Sequence, residues 1–162
     1  MTDILTVNHL SKSFGKLAAV NRLSFEVHKG EIMGIMGPNG AGKTTVFNLL
    51  TGVLKPDSGS ILFQGREITG DPPASRCRQG IGRTYQIPRP FDKMTVFENL
   101  LVGAVHGGGL SEKRGRGVCY DILNLIGLYQ TRDHLAGGLP LLDRKRLELG
   151  RALATQPSLI LL

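Results

Sequence analysis

An α/β fold built around one strand–loop–helix unit is predicted by three adjoining stretches. Residues 32–36 (Ile-Met-Gly-Ile-Met) are a short apolar run of the kind that forms a buried strand. Residues 37–45 (Gly-Pro-Asn-Gly-Ala-Gly-Lys-Thr-Thr) fit the pattern G-x-x-x-x-G-K-[ST]. Val46, Phe47, Leu49, Leu50 and Val53 then recur along one face of a helix. In that order, strand, glycine-rich loop and helix are the setting in which the pattern is a phosphate-binding loop, as in P-loop NTPases.

The residue types follow from the chemistry. Gly37, Gly40 and Gly42 let the backbone curl so that successive N–H groups point at phosphate oxygens, with Asn39 and Ala41 between them. The helix opening near Lys43 adds the positive end of its dipole. Lys43 has the reach for the β- and γ-phosphates, Thr44 offers a hydroxyl to Mg²⁺, and Thr45 closes the stretch. A glycine-rich turn with a chance lysine is the alternative, and it leaves both flanks unexplained. The expected ligand is a nucleoside triphosphate.

At 162 residues the chain has the length of about one domain. Its 41% hydrophobic content suffices for a core. The net charge of +7 is unevenly spread: residues 1–75 hold 7 basic and 6 acidic side chains, residues 76–162 hold 13 and 7. No interleaved aromatics or helix-turn-helix pattern accompanies the excess, so a solvated surface is expected rather than a nucleic-acid stripe. Cys77 and Cys119 form no C-x-x-C pair and are expected as free thiols in a reducing compartment. The opening Met-Thr-Asp-Ile-Leu has neither region of a secretory signal, and no apolar run reaches membrane-spanning length. A cytosolic protein, or one held at a membrane only through a partner, is expected.

Residues 4–10 and 23–27 pattern as strands, and Lys29-Gly30-Glu31 turns into the strand before the loop. Gly52 and Pro56 stop the first helix. Asp57-Ser-Gly59 turns into a strand over 60–63, and Gln64-Gly65 makes a hairpin with 66–68, giving a small antiparallel sheet beside the main one. Residues 70–78, rich in Pro, Ser and Arg, read as a loop. Residues 81–85 return to strand character and deliver Gln86, after which two prolines keep 87–91 irregular. Thr95 and Glu98 fit a capping box opening a helix to about Val102. Residues 107–117 read as a mobile, solvated link. Val118, Ile122, Leu125 and Ile126 mark a helix face closed by Gly127, a last helix covers 141–154, and 157–162 begin a buried strand.

These residues together resemble the nucleotide-binding subunit of an ATP-binding cassette (ABC) transporter. Four features match in order: the loop at Gly37, the Gln86 segment, the stretch Arg-Lys-Arg-Leu-Glu-Leu-Gly-Arg-Ala-Leu at 144–153, and the closing apolar strand. Residues 82–91 and 94–103 resemble the branched-chain amino-acid importer branch in particular. The resemblance implies a RecA-like core sheet with a small antiparallel β subdomain and a helical insertion. It divides the chain into a phosphate-loop core over 1–87, a helical subdomain over 88–138, and the signature helix with the start of the Walker B strand over 139–162. It makes Phe14 the ring on which adenine stacks, a role that needs only a π face. It places Asn39 and Gly40 over the phosphates, and makes Gln86 a contact to Mg²⁺ and the attacking water. Arg76, Arg78 and Arg83 are expected as solvated side chains.

The sequence departs from the family's pattern in two places. The signature Leu-Ser-Gly-Gly-Gln falls on residues 139–143 (Leu-Pro-Leu-Leu-Asp) when anchored on the following helix, or on 135–139 (Leu-Ala-Gly-Gly-Leu) by composition. The helix-anchored placement is preferred, because helix length fixes where the loop meets the γ-phosphate, and Pro140 suits a first helical turn. In the family an Asp and a Glu directly follow the closing strand, and a switch histidine comes later. The sequence ends at Leu162, and His9, His28, His106 and His134 all precede it. A core strand that the resemblance places between the loop strand and the closing one is also missing, which leaves apolar edges unpaired. The 162-residue chain is therefore expected to be a truncated product or fragment, unstable alone.

The leading expectation is an ATP-binding, Mg²⁺-dependent subunit of an importer. Its implied partners are transmembrane permease subunits, a second ATP-binding subunit (the same chain or a different one) and, indirectly, a periplasmic solute-binding protein, with no nucleic acid. It would sit at the cytoplasmic face of the inner membrane. A soluble cassette ATPase acting on nucleic acid or translation and a non-catalytic ATP-binding remnant are the alternatives. An ATPase assay with magnesium on the 162-residue chain is expected to find no turnover, and clear turnover would refute the truncation argument.

Overall fold

A computed structural model describes residues 3–162. Two compact units divide the chain, Met1–Arg76 and Cys77–Leu162. In the first, β1 (Asp3–Phe14) lies between β2 (Leu17–His28) and β3 (Ser58–Phe63), and β4 (Arg66–Glu67) flanks β3. All these pairs are antiparallel. Leu5 and Val7 share one face of β1 and sit opposite Phe63 and Ile61, and all four are buried. Gln64 and Gly65, with φ of 50° and 76°, make the tight turn into β4.

β1 reaches four residues further than its apolar pattern, and paired bulges explain how. Between Val7 and Leu10 three steps of β1 face two of β2, and between Leu10 and Lys12 the excess passes to β2. His9 and Arg22, each at φ 47°, are the extra residues. Hydroxyls replace the broken ladder: the His9 N–H donates to Ser24 Oγ at 2.8 Å, and the Arg22 N–H to Ser11 Oγ at 3.0 Å. The first bulge also returns Leu10 to the buried side, which strict alternation would deny it.

α1 (Lys43–Leu50) buries Val46, Leu49 and Leu50 and stops at Thr51, with Gly52 at φ 76°. Val53 lies beyond the helix and is exposed, so it is not part of its face. Residues 32–36 do not form the expected buried strand. They have no regular structure, and Ile32 and Met36 are 99% and 94% exposed. A strand exists only through hydrogen bonds to a neighbour, and among the described residues no strand pairs with this run. Residues 70–78 are not all loop either, since α2 (Pro73–Gln79) forms there. Pro73 stands where the missing N–H costs nothing, and the Pro72 carbonyl accepts from Ser75 and Arg76. Arg76, expected in solvent, is 1% exposed.

In the second unit β5 (Ile81–Arg83) pairs in parallel with β6 (Leu159–Leu161). α3 (Val96–Val102), α4 (Glu112–Leu125) and α5 (Leu141–Ala154) pack around Val96, Leu100, Cys119, Leu123 and Leu147. The capping box is present: Thr95 Oγ1 accepts from the Glu98 N–H, and the Glu98 carboxylate accepts from the Thr95 N–H at 2.7 Å. α3 continues into one π-helical turn, Gly103–Gly107.

The expected link at 107–117 is therefore mostly helical. Ser111 caps α4, Glu112 pairs with Arg116 one turn on at 2.7 Å, and Gly115 is buried beside Leu101 and Ala104. Leu125 is not on the buried face: it is 75% exposed, because two residues carry it about 200° around the helix from Leu123. Both cysteines are free. Burial pushes the Cys119 thiol up to about 11 and raises that of Cys77, so neither is a ready thiolate.

Asn99 is fully buried and ties down the chain before α3. Its Oδ1 accepts from the Phe91 N–H at 2.8 Å, and its Nδ2 donates to the Phe91 and Thr95 carbonyls at 3.1 and 2.9 Å. Asn99→Leu strands those backbone groups and is expected to cost ~2 kcal/mol. Thr95→Ala, which removes only the cap, is expected to cost ~1 kcal/mol. Urea unfolding should rank them in that order, and equal midpoints would contradict it.

Candidate functional site

The phosphate loop lies entirely in the first unit. Gly40 and Gly42 adopt φ of 84° and 86°, a region that favours glycine. Gly42 is also pressed against β2, where a Cβ would sit 2.2 Å from the Ala19 carbonyl oxygen. At the loop's other end a Cβ on Gly37 would come within 3.2 Å of the Ala41 methyl. Within the loop the Ala41 N–H donates to Pro38 O at 3.2 Å. Asn39 and Thr44 are exposed, and Thr45 is half-buried.

α1 begins directly on this loop with Gly42 as its N-cap. No side chain caps it and no acidic residue stands in its first turn. The positive end of the helix is thus left unneutralised by its own first turn, as an anion site requires. Lys43 arches back over the loop and donates to the carbonyls of Gly37 and Pro38 at 2.6 and 2.7 Å. A phosphate oxygen is a charged acceptor and competes for the same ammonium more strongly than a carbonyl does.

Phe14 ends β1 opposite Leu17 and is 49% exposed. Ala19, which backs Gly42, lies two residues along β2 from Leu17, about 7 Å of strand. The ring and the loop are therefore carried by the same end of one hairpin. The Lys12 ammonium stands 5.9 Å from the ring centroid and bonds Asp57 Oδ1 at 2.7 Å. The other Asp57 oxygen accepts from the Ser13 N–H at 2.7 Å, and the Asp57 N–H donates to Ser11 O. Sequence reading treated Asp57 only as a turn residue, since no local pattern links it to residues 44 positions away.

Gln86 belongs to the second unit, exposed in the bend after β5. Exposed aromatic and apolar side chains surround it in sequence, namely Tyr85, Ile87 and Phe91. The Arg83 guanidinium lies over Tyr85 at 4.7 Å, and that of Arg151 lies over Phe91 at 4.8 Å. Arg151 also donates to Arg89 O at 2.7 Å.

The 135–139 placement falls on a turn, and the 139–143 placement runs from that turn into the start of α5. Residues 136–138 form a 3₁₀ turn, and Pro140 takes the N-cap position rather than the expected first helical turn. Leu141 and Leu142 are exposed, and Asp143 pairs with Arg146 at 3.2 Å. Arg144 ties the turn together, donating to the Leu139 carbonyl at 2.9 Å and to the Gly137 carbonyl.

Among the described residues no cluster of three or more His, Cys, Asp or Glu side chains could hold a metal. The exposed Thr44 hydroxyl fits a different arrangement, in which it would be one of few protein ligands to a Mg²⁺ carried with a phosphate.

A glycine loop with a lysine at the mouth of an uncapped helix, set beside a sheet, defines a P-loop nucleotide-binding protein. Comparison with known proteins narrows this: a family model for ABC transporters matches residues 20–162, and the chain belongs to that family. It is 37% identical over 172 residues to a probable branched-chain amino acid transport ATP-binding protein, LivG, of Methanocaldococcus jannaschii, covering 99% of this chain and 67% of that protein. The high-affinity branched-chain amino acid transport ATP-binding protein LivG of Escherichia coli K12 is 40% identical over 173 residues, covering 98% of this chain and 68% of its own length. The ADP conformation of an ATP-binding cassette of an ABC transporter superposes with a TM-score of 0.88 at 37% identity, over 99% of this chain and 68% of that one. The chain thus spans about two thirds of the length of each.

Gly42→Ala brings a methyl onto the Ala19 carbonyl at an unfavourable φ, and is expected to abolish nucleotide binding; retained affinity in a titration would contradict the packing. The bonds from Lys12 and then Ser13 hold the Asp57 carboxyl below its ordinary value. Its contribution to stability is therefore complete above the ordinary carboxylate pKa and is lost as pH falls through the lowered folded value. Asp57→Asn should remove that part of the acid limb of a stability-against-pH curve, and an unchanged limb would refute the assignment.

Proposed function

We propose that the protein is the ATP-binding subunit of a membrane importer, coupling ATP binding and hydrolysis to uptake of branched-chain amino acids or a related solute. The observation that carries this reading is the loop over 37–45: positive-φ glycines, an uncapped helix start and the Lys43 ammonium converge on one exposed anion site. The names of the two LivG relatives support the solute class.

In this reading adenine stacks on Phe14, and the amides of residues 37–45 enclose the phosphates. Lys43 leaves its two loop carbonyls for the β- and γ-phosphates. Thr44 would be a ligand of Mg²⁺, which would supply positive charge to the phosphates, and by the family resemblance Gln86 would be a further ligand and would orient water. The helical region over 88–138 turns toward transmembrane permease subunits. A short helix of the permease docks on the exposed Tyr85, Ile87 and Phe91 beside Gln86. A second ATP-binding subunit and, indirectly, a periplasmic solute-binding protein complete the assembly. Among the described residues no helix is long and apolar enough to cross a membrane. In this reading the permease holds the protein at the cytoplasmic face of the inner membrane.

The basic excess does not favour a nucleic-acid partner. Arg83, Arg116, Arg132 and Arg151 lie over aromatic rings, and Arg144 is committed to backbone carbonyls. Each of those five guanidinium groups is engaged by a ring or a carbonyl of the same chain.

Titration with a fluorescent ATP analogue tests the reading. Lys43→Ala is expected to cost ~2 kcal/mol or more in affinity, and Phe14→Ala ~1–3 kcal/mol. Saturable binding indifferent to Lys43 would sink the proposed site.

A further inference from the structure

We propose that Arg76 is a positioning residue for the phosphate loop: it fixes the far end of α1 and so sets where the near end presents its amides. The inference rests on the reading of residues 37–45 as a triphosphate site.

Arg76 is 1% exposed, and its hydrogen bonds reach two separate segments. Nη1 donates to the carbonyls of Leu49 and Leu50 at 2.7 and 2.9 Å. Nε donates to Asp71 O at 3.0 Å, and Nη2 to Thr69 O at 2.9 Å. Leu49 and Leu50 are the last two residues of α1, a helix with no basic residue in its own last turn. Carbonyls there carry the negative end of the dipole and lie past the regular helical ladder, Leu49 O accepting from the Gly52 N–H at 3.2 Å, so a cation from elsewhere in the chain completes their bonding and answers the dipole. Only a planar fork of donors reaches all four carbonyls at once, which an ammonium on a flexible stem does not.

The second segment is itself anchored. Thr69 Oγ1 accepts from the Ile61 N–H at 2.9 Å, which fastens residue 69 to β3. Sheet, Thr69, Arg76, α1 and phosphate loop therefore form one chain of contacts inside the first unit. Gly52 makes room for it. A Cβ at that position would lie 2.7 Å from Asp71 O and 3.0 Å from Arg76 Nε, and its φ is 76°. α1 has eight residues, about 12 Å of helix, so a tilt at Leu50 displaces the amides at Lys43.

Such a linkage is reciprocal: what Arg76 does for nucleotide affinity, nucleotide must do for the Arg76 network. Two measurements on the full chain test it. In the first, a fluorescent ATP analogue is titrated into the wild type, Arg76→Met, Arg76→Lys and Lys43→Ala. Arg76→Met is expected to bind about tenfold more weakly, within the usual range for coupled sites, and Arg76→Lys to recover part of the loss. In the second, amide exchange of the wild type is followed with and without ATP. Protection of the Gly52 and Asp71 amides, which bond Leu49 O and Ile68 O, is expected to rise. A folded Arg76→Met with wild-type affinity overturns the proposal, and so does unchanged protection at those two amides while ATP is bound. If Arg76→Met does not fold, the exchange measurement decides alone. Absence of any Lys43-dependent binding to the wild type is a different failure, that of the triphosphate reading itself.

Discussion

A helix of eight residues, open at its positive end and answered by a cation at its negative end, is the constraint on which the first unit depends. Its N-terminal amides stay free because Gly42, Lys43 and the threonines offer them no side-chain cap. The carbonyls at its other end have no such freedom, since Leu49 and Leu50 are buried. Burying them unsatisfied would cost more than most single contacts in the unit. The guanidinium resolves that difficulty and leaves the dipole directed at the anion site. A buried arginine therefore belongs to the same electrostatic arrangement as the exposed loop.

The Phe14 end of the candidate site is governed by different contacts. Phe14 stands at the tip of a hairpin whose regular pairing shifts register four times. Serine hydroxyls fill two of the gaps, and the strands are still paired at the end, with Phe14 opposite Leu17. Asp57 then clamps residues 11–13 from the neighbouring strand's entry. Strand irregularity and a distant carboxylate do together what a straight ladder would not, which is to present an aromatic ring next to a glycine loop.

The second unit shows how arginines can be engaged by rings and carbonyls of their own chain. Its arginines stack on rings and fasten turns, and the buried Asn99 holds the segment following Gln86 to the start of α3. None of these contacts has a sequence signature, because each joins residues whose spacing is set by loops rather than by a helical or strand period. Local chemistry was legible where it acts locally. The Thr95 capping box, the Gln64-Gly65 turn and the limits of α5 all stand as the residues indicate. Where an apolar run needed a partner the pattern misled: residues 32–36 have the composition of a strand and no neighbour among the described residues. Polar composition misled in the opposite sense at 73–79 and 112–117, where a tolerant proline and a serine cap admit helices.

By itself the sequence determined the phosphate loop, the helix that follows it and the family to which the chain belongs, because a run of consecutive residues builds the anion site from its own backbone. Tertiary structure alone decided that Lys43 rests on its own loop carbonyls, that Asp57 serves the Phe14 strand end, and that Arg76 lies buried against α1. The physical reason is one of range. Amides and dipoles are laid down residue by residue, whereas a charged side chain takes its partner from whatever the fold brings within about 3 Å of it.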